Sequence, residues 1–248
     1  MRCGMTSVFG DITMSVDGFV TGPGTDLQHG LGLDADGLHA WALGSSGRCA
    51  SLRPPSPSRT RSDVQGLDDA KHGSPATETA LIVAVLEAEP VVGRHRRDLD
   101  RSAAWGVPPH VTVLYPFLPP SEVDELVLTA LSSAVRSVPA FDCAFPATRW
   151  FGDDVVWLEP SPGGPFRDLT EAVWRRFPEY PPYGGRYDDV VPHLTVAERE
   201  LGSIDMLKAA ESAVRAMLPV RARVHEALLI AGSSRPSSWR TVHVLPLG

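Results

Sequence analysis

Two short strings in this sequence pair a base with a hydroxyl at strand spacing. Residues 108–117 read PPHVTVLYPF and residues 192–198 read PHLTVAE, so the pair His110 and Thr112 recurs as His193 and Thr195. Side chains alternate faces along an extended chain, which sets His110 on the side of Thr112 and His193 on the side of Thr195. The intervening Val111, Val113, Leu194 and Val196 point the other way and suit a core. If two such polar faces meet in one cleft, they make an acid–base site for a phosphodiester. A neutral imidazole takes the proton from an attacking water or ribose hydroxyl, and a protonated imidazole gives one to the leaving oxygen. An ordinary pKa near 6.5 lets the two histidines hold opposite protonation states at neutral pH. The threonine hydroxyls donate to non-bridging phosphate oxygens as charge shifts onto them. The scheme calls for no metal and no cofactor.

The surrounding patterns predict the elements that carry these pairs. TALIVAVLE, from Thr79, reads as a buried strand by its length and β-branched content. A helical or irregular segment covers roughly 90–104, and HVTVLYPF is the next strand. Residues 120–138 read as a helix capped by Ser121, with carboxylates in its first turn and apolar residues at helical spacing. FDCAFPATRWFG and VVWLEP are strands around a Gly-Asp-Asp turn, and GPFRDLTEAVWRRF is a helix. HLTVAE is a strand, followed by a helix capped by Ser203. VRARVHEALLIAG and WRTVHVLPL close the chain as two strands. Each half thus has a His-x-Thr strand, a helix, and two strands that read as antiparallel. The expected fold is α+β, with duplicated β-α-β-β-type lobes about an approximate two-fold axis.

The rest of the chain divides differently. Residues 7–44 read as strand, turn and a short amphipathic segment closed by Gly44. From Ser45 to Ser62, 13 of 18 residues are Ser, Arg or Pro, too polar to offset the entropy of ordering. We therefore expect three parts: residues 1–44, a disordered linker over 45–75, and a globular domain over 76–248.

Composition narrows the partners. The whole chain of 248 residues carries a net charge of −7, which argues against coating nucleic acid or an anionic membrane by bulk electrostatics. Residues 76–248 hold 17 Lys and Arg against 22 Asp and Glu, a poor match for a long duplex. RNA ends, short oligonucleotides or small cyclic nucleotide phosphates need only a few local donors. The longest apolar run, ALIVAVL at 80–86, is far too short to cross a bilayer. Cys3, Cys49 and Cys143 are scattered, giving neither a disulfide framework nor a zinc pattern. The N-terminal residues lack a continuous apolar signal-peptide region. A reduced, cytoplasmic, monomeric protein is expected.

PPHVTVLYPFLPP and VVPHLTVAE resemble the paired motifs of the two-histidine (2H) phosphoesterases, in particular the 2′-5′ RNA ligase-like or RNA 2′,3′-cyclic phosphodiesterase-like branch. RWFGDDVVWLEP and RFPEYPPYGGRYDDVVPH also fit that branch, and the resemblance spans about residues 78–248. It implies a bilobal α+β fold with a central cleft, metal-independent chemistry, and 2′,3′-cyclic or 2′-5′ phosphodiester substrates. Carried over by position, His110 and His193 match the catalytic pair and Thr112 and Thr195 the phosphate-binding hydroxyls; the motif does not say which histidine is the base. The opening VFGDITMSVDGFVTGPGTD resembles the start of a dihydrofolate reductase-like domain of riboflavin-biosynthesis reductases, but that likeness stops near Gly44. A fragment of that size cannot close a sheet, so neither a reductase function nor a nicotinamide cofactor is carried over.

Other residues have two readings. Tyr115 falls on the opposite face of a regular strand and is assigned to packing unless Pro116 bends the chain. Tyr183 and Arg186, on the Pro/Gly loop before the second motif, suit a base-stacking ring and a phosphate-pairing guanidinium, or equally a turn with solvated charges. Trp150, Phe151 and Trp157 suit core or cleft wall. At the level of function, an enzyme stands against a nucleotide or RNA-end binding module that uses the same cleft without turnover.

Overall fold

β-Branched and leucine side chains crowd Glu78–Ala84, and this stretch becomes β1, with five consecutive buried residues and a partner strand on each side. The computed structural model describes residues 76–187 and 189–248. After β1, helices α1 (Glu89–Leu99) and α2 (Arg101–Ala104) lead to β2 (His110–Leu114), which returns antiparallel to β1. Helix α3 (Glu125–Arg136) follows. Strands β3 (Phe141–Phe151) and β4 (Val155–Ser161) then pair across the expected Gly-Asp-Asp turn. The chain continues through α4 (Gly164–Arg176), β5 (Leu194–Glu198), α5 (Ile204–Arg215), β6 (Val220–Val224), β7 (Glu226–Gly232) and β8 (Arg240–Pro246).

Among the described residues the strands form two four-stranded antiparallel sheets, ordered β2-β1-β7-β8 and β5-β4-β3-β6. The fold is α+β and duplicated, as expected. Its repeat begins one strand earlier than the motifs suggest. β1-α1-β2 and β4-α4-β5 are equivalent units, each an antiparallel pair joined through a helix and ending on a His-x-Thr strand. After α3 the chain crosses to the second sheet as β3, and after β6 it returns to the first as β7. Each half therefore completes the other half's sheet.

Two sequence expectations need correction. Residues 220–232, read as one strand, are two strands of different sheets separated at the exposed His225: β6 pairs with β3, and β7 with β1. Local β-propensity reads straight through this point because the change concerns the partner, not the extended conformation. The cap of α3 is Asp124, whose Oδ1 accepts from the Val127 amide at 2.8 Å, while Ser121 lies in a 3-10 turn. Both residue types cap well, and the carboxylate stands at the later boundary. Ser203 caps α5 as expected, accepting from the Met206 amide at 3.3 Å.

Alternation along β1 sorts its side chains between two apolar clusters. Leu81 and Val83 join the main core, which also takes Val111 and Val113 of β2, Leu158 of β4, Leu194 and Val196 of β5, and helix residues such as Leu131 and Leu169. Ala80 and Ile82 face the other way, into a smaller cluster with Trp105, Val107, Tyr115, Ile230 and Trp239. The helices lock the halves together by crossing over: α1 packs on β5 and α4 on β2. Thr170 of α4 reinforces this contact, its hydroxyl donating to the Val113 carbonyl at 2.9 Å and reaching the Phe166 carbonyl at 3.2 Å. Thr170→Val keeps the size but removes the donor, so unfolding free energy is expected to fall by about 1 kcal/mol. Urea titration reads this as a lower midpoint at constant slope; an unmoved midpoint would show that the bond contributes nothing.

Among the described residues, no helix is long and apolar enough to cross a membrane. The reductase-like reading of residues 1–44 and the linker reading of residues 45–75 lie outside the described residues.

Candidate functional site

β2 is an edge strand of one sheet and β5 an edge strand of the other, and these two edges lie against each other. This follows from the β-α-β duplication: each unit ends on its His-x-Thr strand at the outside of its own sheet. Packing by alternation then sets the side chains. Val111, Val113, Leu194 and Val196 are buried in the main core. His110 and Thr112, on the other face of β2, line a hollow of about 20 Å³, room for roughly one water molecule. His193 stands immediately before β5, and Thr195 is its second residue, opposite Trp157 in the sheet register.

The two imidazoles are held in the same way. His110 Nδ1 lies 2.8 Å from the Pro108 carbonyl oxygen, and His193 Nδ1 lies 2.8 Å from that of Val191. A carbonyl oxygen only accepts, so Nδ1 carries the proton in both rings. The neutral rings therefore keep their lone pair on Nε2. The sequence signal for this lock is the short extended lead into each motif, where the carbonyl two residues back comes under the ring.

The surroundings of the rings differ. His110 is 9% exposed, and its pKa is lowered to about 4. Burial is the main cause and the Arg96 guanidinium the next, opposed by the Pro108 hydrogen bond and the Asp100 carboxylate, with His193 lowering it further. His193 is also lowered by burial, against the bond to Val191. Both imidazoles are thus neutral at pH 7 in the protein on its own. The ordinary pKa near 6.5 assumed from the sequence is lowered in both rings, because burial disfavours the cation in each.

The walls around the pairs are aromatic. On the His110 side, Trp105, Tyr115 and Trp239 line the hollow with Ile82, Ile230 and Ser102. Trp239 covers Gly232 so closely that a Cβ there would lie 2.4 Å from the indole. On the His193 side, Phe151 stacks on Trp157 with ring centroids 4.7 Å apart and meets the His193 ring edge-on at 5.0 Å. The indole nitrogen of Trp157 is buried without a hydrogen-bond partner among the described residues.

Tyr115 follows the end of β2, so strand alternation no longer governs it. Its ring lines the hollow with His110 and Thr112, and its hydroxyl donates to Glu78 Oε2 at 2.5 Å. Tyr183 comes to the same region through its backbone, its amide donating to the Tyr115 carbonyl at 2.8 Å. The Tyr183 ring meets that of exposed Tyr187 edge-on at 5.7 Å, with exposed Arg186 between them in sequence. Sequence reasoning missed Tyr187, Ser102, Trp105 and Trp239; only the second tyrosine of YGGRY gave a signal, since the others reach the site from distant segments. Among the described residues, no group of three or more His, Cys, Asp or Glu side chains converges as metal ligands.

A protein-family model described as the 2′-5′ RNA ligase superfamily matches residues 84–235, a span that contains both His-x-Thr pairs. No curated protein matches the chain. Among solved structures, the chain is similar to E. coli LigT complexed with NADP+, at 18% identity and a TM-score of 0.44, covering 70% of this chain and 99% of that one. It is also similar to TT0787 of Thermus thermophilus, at 17% identity and a TM-score of 0.46, covering 68% of this chain and 97% of that one.

Proposed function

The chain belongs to the 2′-5′ RNA ligase superfamily, and from that premise we propose that it is a metal-independent phosphodiesterase. Its substrates are 2′,3′-cyclic or 2′-5′ phosphodiesters of RNA ends or small nucleotides. The observation that carries this reading is the matched pair of imidazoles at the starts of the facing edge strands β2 and β5, each with Nδ1 tied to a carbonyl and Nε2 left for chemistry.

The reaction uses one imidazole in each protonation state. The phosphate anion enters between the rings and raises the pKa of one of them, which takes up a proton. The other, neutral ring accepts the proton of an attacking water as the new P–O bond forms. The imidazolium gives its proton to the ribose oxygen as the old P–O bond breaks. Thr112 and Thr195 donate to the non-bridging oxygens, where negative charge grows. With a 5′-hydroxyl in place of water, the same forward steps on a 2′,3′-cyclic phosphate join a 2′-5′ linkage: the new P–O bond forms to the 5′-oxygen as the 3′-oxygen leaves with the imidazolium's proton. Tyr183, Arg186 and Tyr115 flank the substrate on the His110 side, supplying rings for a base and a guanidinium for a phosphate. The acidic balance of residues 76–248 favours an RNA end or a short oligonucleotide over a long duplex.

A panel of 2′,3′-cyclic nucleotides, 2′-5′ dinucleotides and 3′-5′ dinucleotides tests the reading, with product linkage assigned by chromatography. Turnover of the cyclic or 2′-5′ members is expected, with rates unchanged by EDTA. Binding of these compounds without any product would replace the enzyme by a binding module. A rate abolished by chelation and restored by a divalent ion would overturn the metal-independent scheme.

A further inference from the structure

Behind His110, and with no counterpart among the groups that act on His193, lies a buried ion pair. Arg96 of α1 and Asp100, the cap of α2, have side chains only 3% and 0% exposed. Arg96 Nε donates to Asp100 Oδ2 at 2.6 Å, and Nη2 donates to Ser102 Oγ at 2.9 Å. The other carboxylate oxygen of Asp100 accepts from both the amide and the hydroxyl of Ser102, each at 2.8 Å. The two terminal guanidinium nitrogens also reach the Val107 carbonyl, at 3.4 and 3.5 Å. The Val107 amide in turn donates to the Ser102 carbonyl at 3.0 Å. Val107 directly precedes Pro108, whose carbonyl receives the His110 Nδ1 proton.

We propose that Arg96, Asp100 and Ser102 are positioning residues for His110. They fix the Val107–Pro108 segment that decides which ring nitrogen of His110 faces the phosphate. A buried ion pair is weak as a source of stability, since desolvation offsets its attraction, so its place beneath one member of the acid–base pair calls for a role beyond folding. The fork of a guanidinium suits this role, because it engages a carboxylate, a hydroxyl and a carbonyl at once, which an ammonium cannot do in the same geometry. Ser102 itself lines the hollow with His110 and Thr112, so the network ends at the substrate side.

Burial lowers the proton affinity of His110 most, and the charges add to it unequally: Arg96 and His193 lower it and Asp100 raises it, with the guanidinium outweighing the carboxylate. The causes that lower and raise the His193 pKa are burial and the Val191 carbonyl, with no guanidinium or carboxylate among them. The network thus makes unequal two histidines that the motif leaves alike. His110 is held neutral with Nε2 bare, the form that accepts a proton.

The test is NMR of the imidazole nitrogens across a pH titration, with the full chain carrying Arg96→Met and Asp100→Asn. These changes remove both charges, leave no buried ion unpaired and keep an oxygen for the Ser102 amide. In the wild type, both rings are expected as Nδ1–H tautomers. In the double variant, His110 is expected to show a mixture of tautomers and a raised pKa, while His193 keeps its tautomer. Where the variant is assayed, kcat is expected to fall about 10- to 100-fold with KM little changed. If the double variant does not fold, Arg96→Lys takes its place, with the tautomer readout and the fall in kcat decisive. An unchanged His110 tautomer and kcat in a folded variant would reduce the network to a structural part and overturn the inference. The inference rests on the phosphodiesterase reading only in its kinetic arm. Were the wild type inactive on every phosphodiester, the NMR arm would still decide it.

Discussion

Replacing His110 by alanine is expected to lower kcat for a 2′,3′-cyclic nucleotide by about 10²- to 10⁴-fold, and His193→Ala is expected to do the same. The size follows from the proton inventory. Without one imidazole, water loses its acceptor; without the other, the ribose oxygen must leave as an alkoxide. Because the two rings serve a single displacement, their effects do not add. The double variant is expected to fall little below either single one. The fold should survive, because the core faces of β2 and β5 are Val111, Val113, Leu194 and Val196, and none of these changes. Circular dichroism and a thermal melt check this alongside single-turnover rates. Full activity in either folded variant would end the two-histidine mechanism.

The motif pair was legible for a simple reason. Period-two alternation is a local property, and PHVTV and PHLTV each state it within five residues. The same locality explains Ser203 as a cap and the Gly-Asp-Asp turn between β3 and β4. What escaped the sequence is non-local. Nothing within residues 220–232 says that β6 belongs beside β3 and β7 beside β1. Pairing across such separations depends on which apolar faces remain uncovered after the nearer elements have packed.

Arg96 shows a second kind of blindness. Its helix carries Arg94, His95, Arg96, Arg97 and Asp98 in a row, and nothing in that run marks which of them turns inward. Only the packing of α1 on β5 turns the 96 position inward, where Asp100 four residues on can pair with it. Tyr115 is similar. Alternation assigns it to the far face, yet β2 has ended at Leu114, and the ring turns toward His110. In each case the residue type was visible, and the environment that gives it a role was not.

That environment also makes the protein sensitive to acid, and here the expected effect is large. His110 has a pKa of about 4 in the folded state against an ordinary 6.5 in an unfolded chain. Between these values the unfolded chain binds a proton that the folded one refuses. Stability contributed by the neutral ring is therefore fully present above about pH 6.5 and is lost as pH falls toward 4. The loss from His110 alone is on the order of 3 kcal/mol, and it levels off below pH 4. His193, lowered in the same direction, steepens the slope. Carboxylates titrate in the lower part of this range, so the measurement is a difference. Urea unfolding followed by tryptophan fluorescence, from pH 4 to 8, is compared between the wild type and His110→Gln. The wild type is expected to lose more stability on acidification than the variant, which has no proton to refuse. Inorganic phosphate sharpens the assignment, because an anion between the rings favours the imidazolium and should flatten the wild-type slope but leave that of the variant less affected. Parallel pH profiles for the two proteins would mean that His110 titrates as an ordinary surface histidine. The lowered proton affinity of buried His110, on which the acid–base assignment depends, would then be lost.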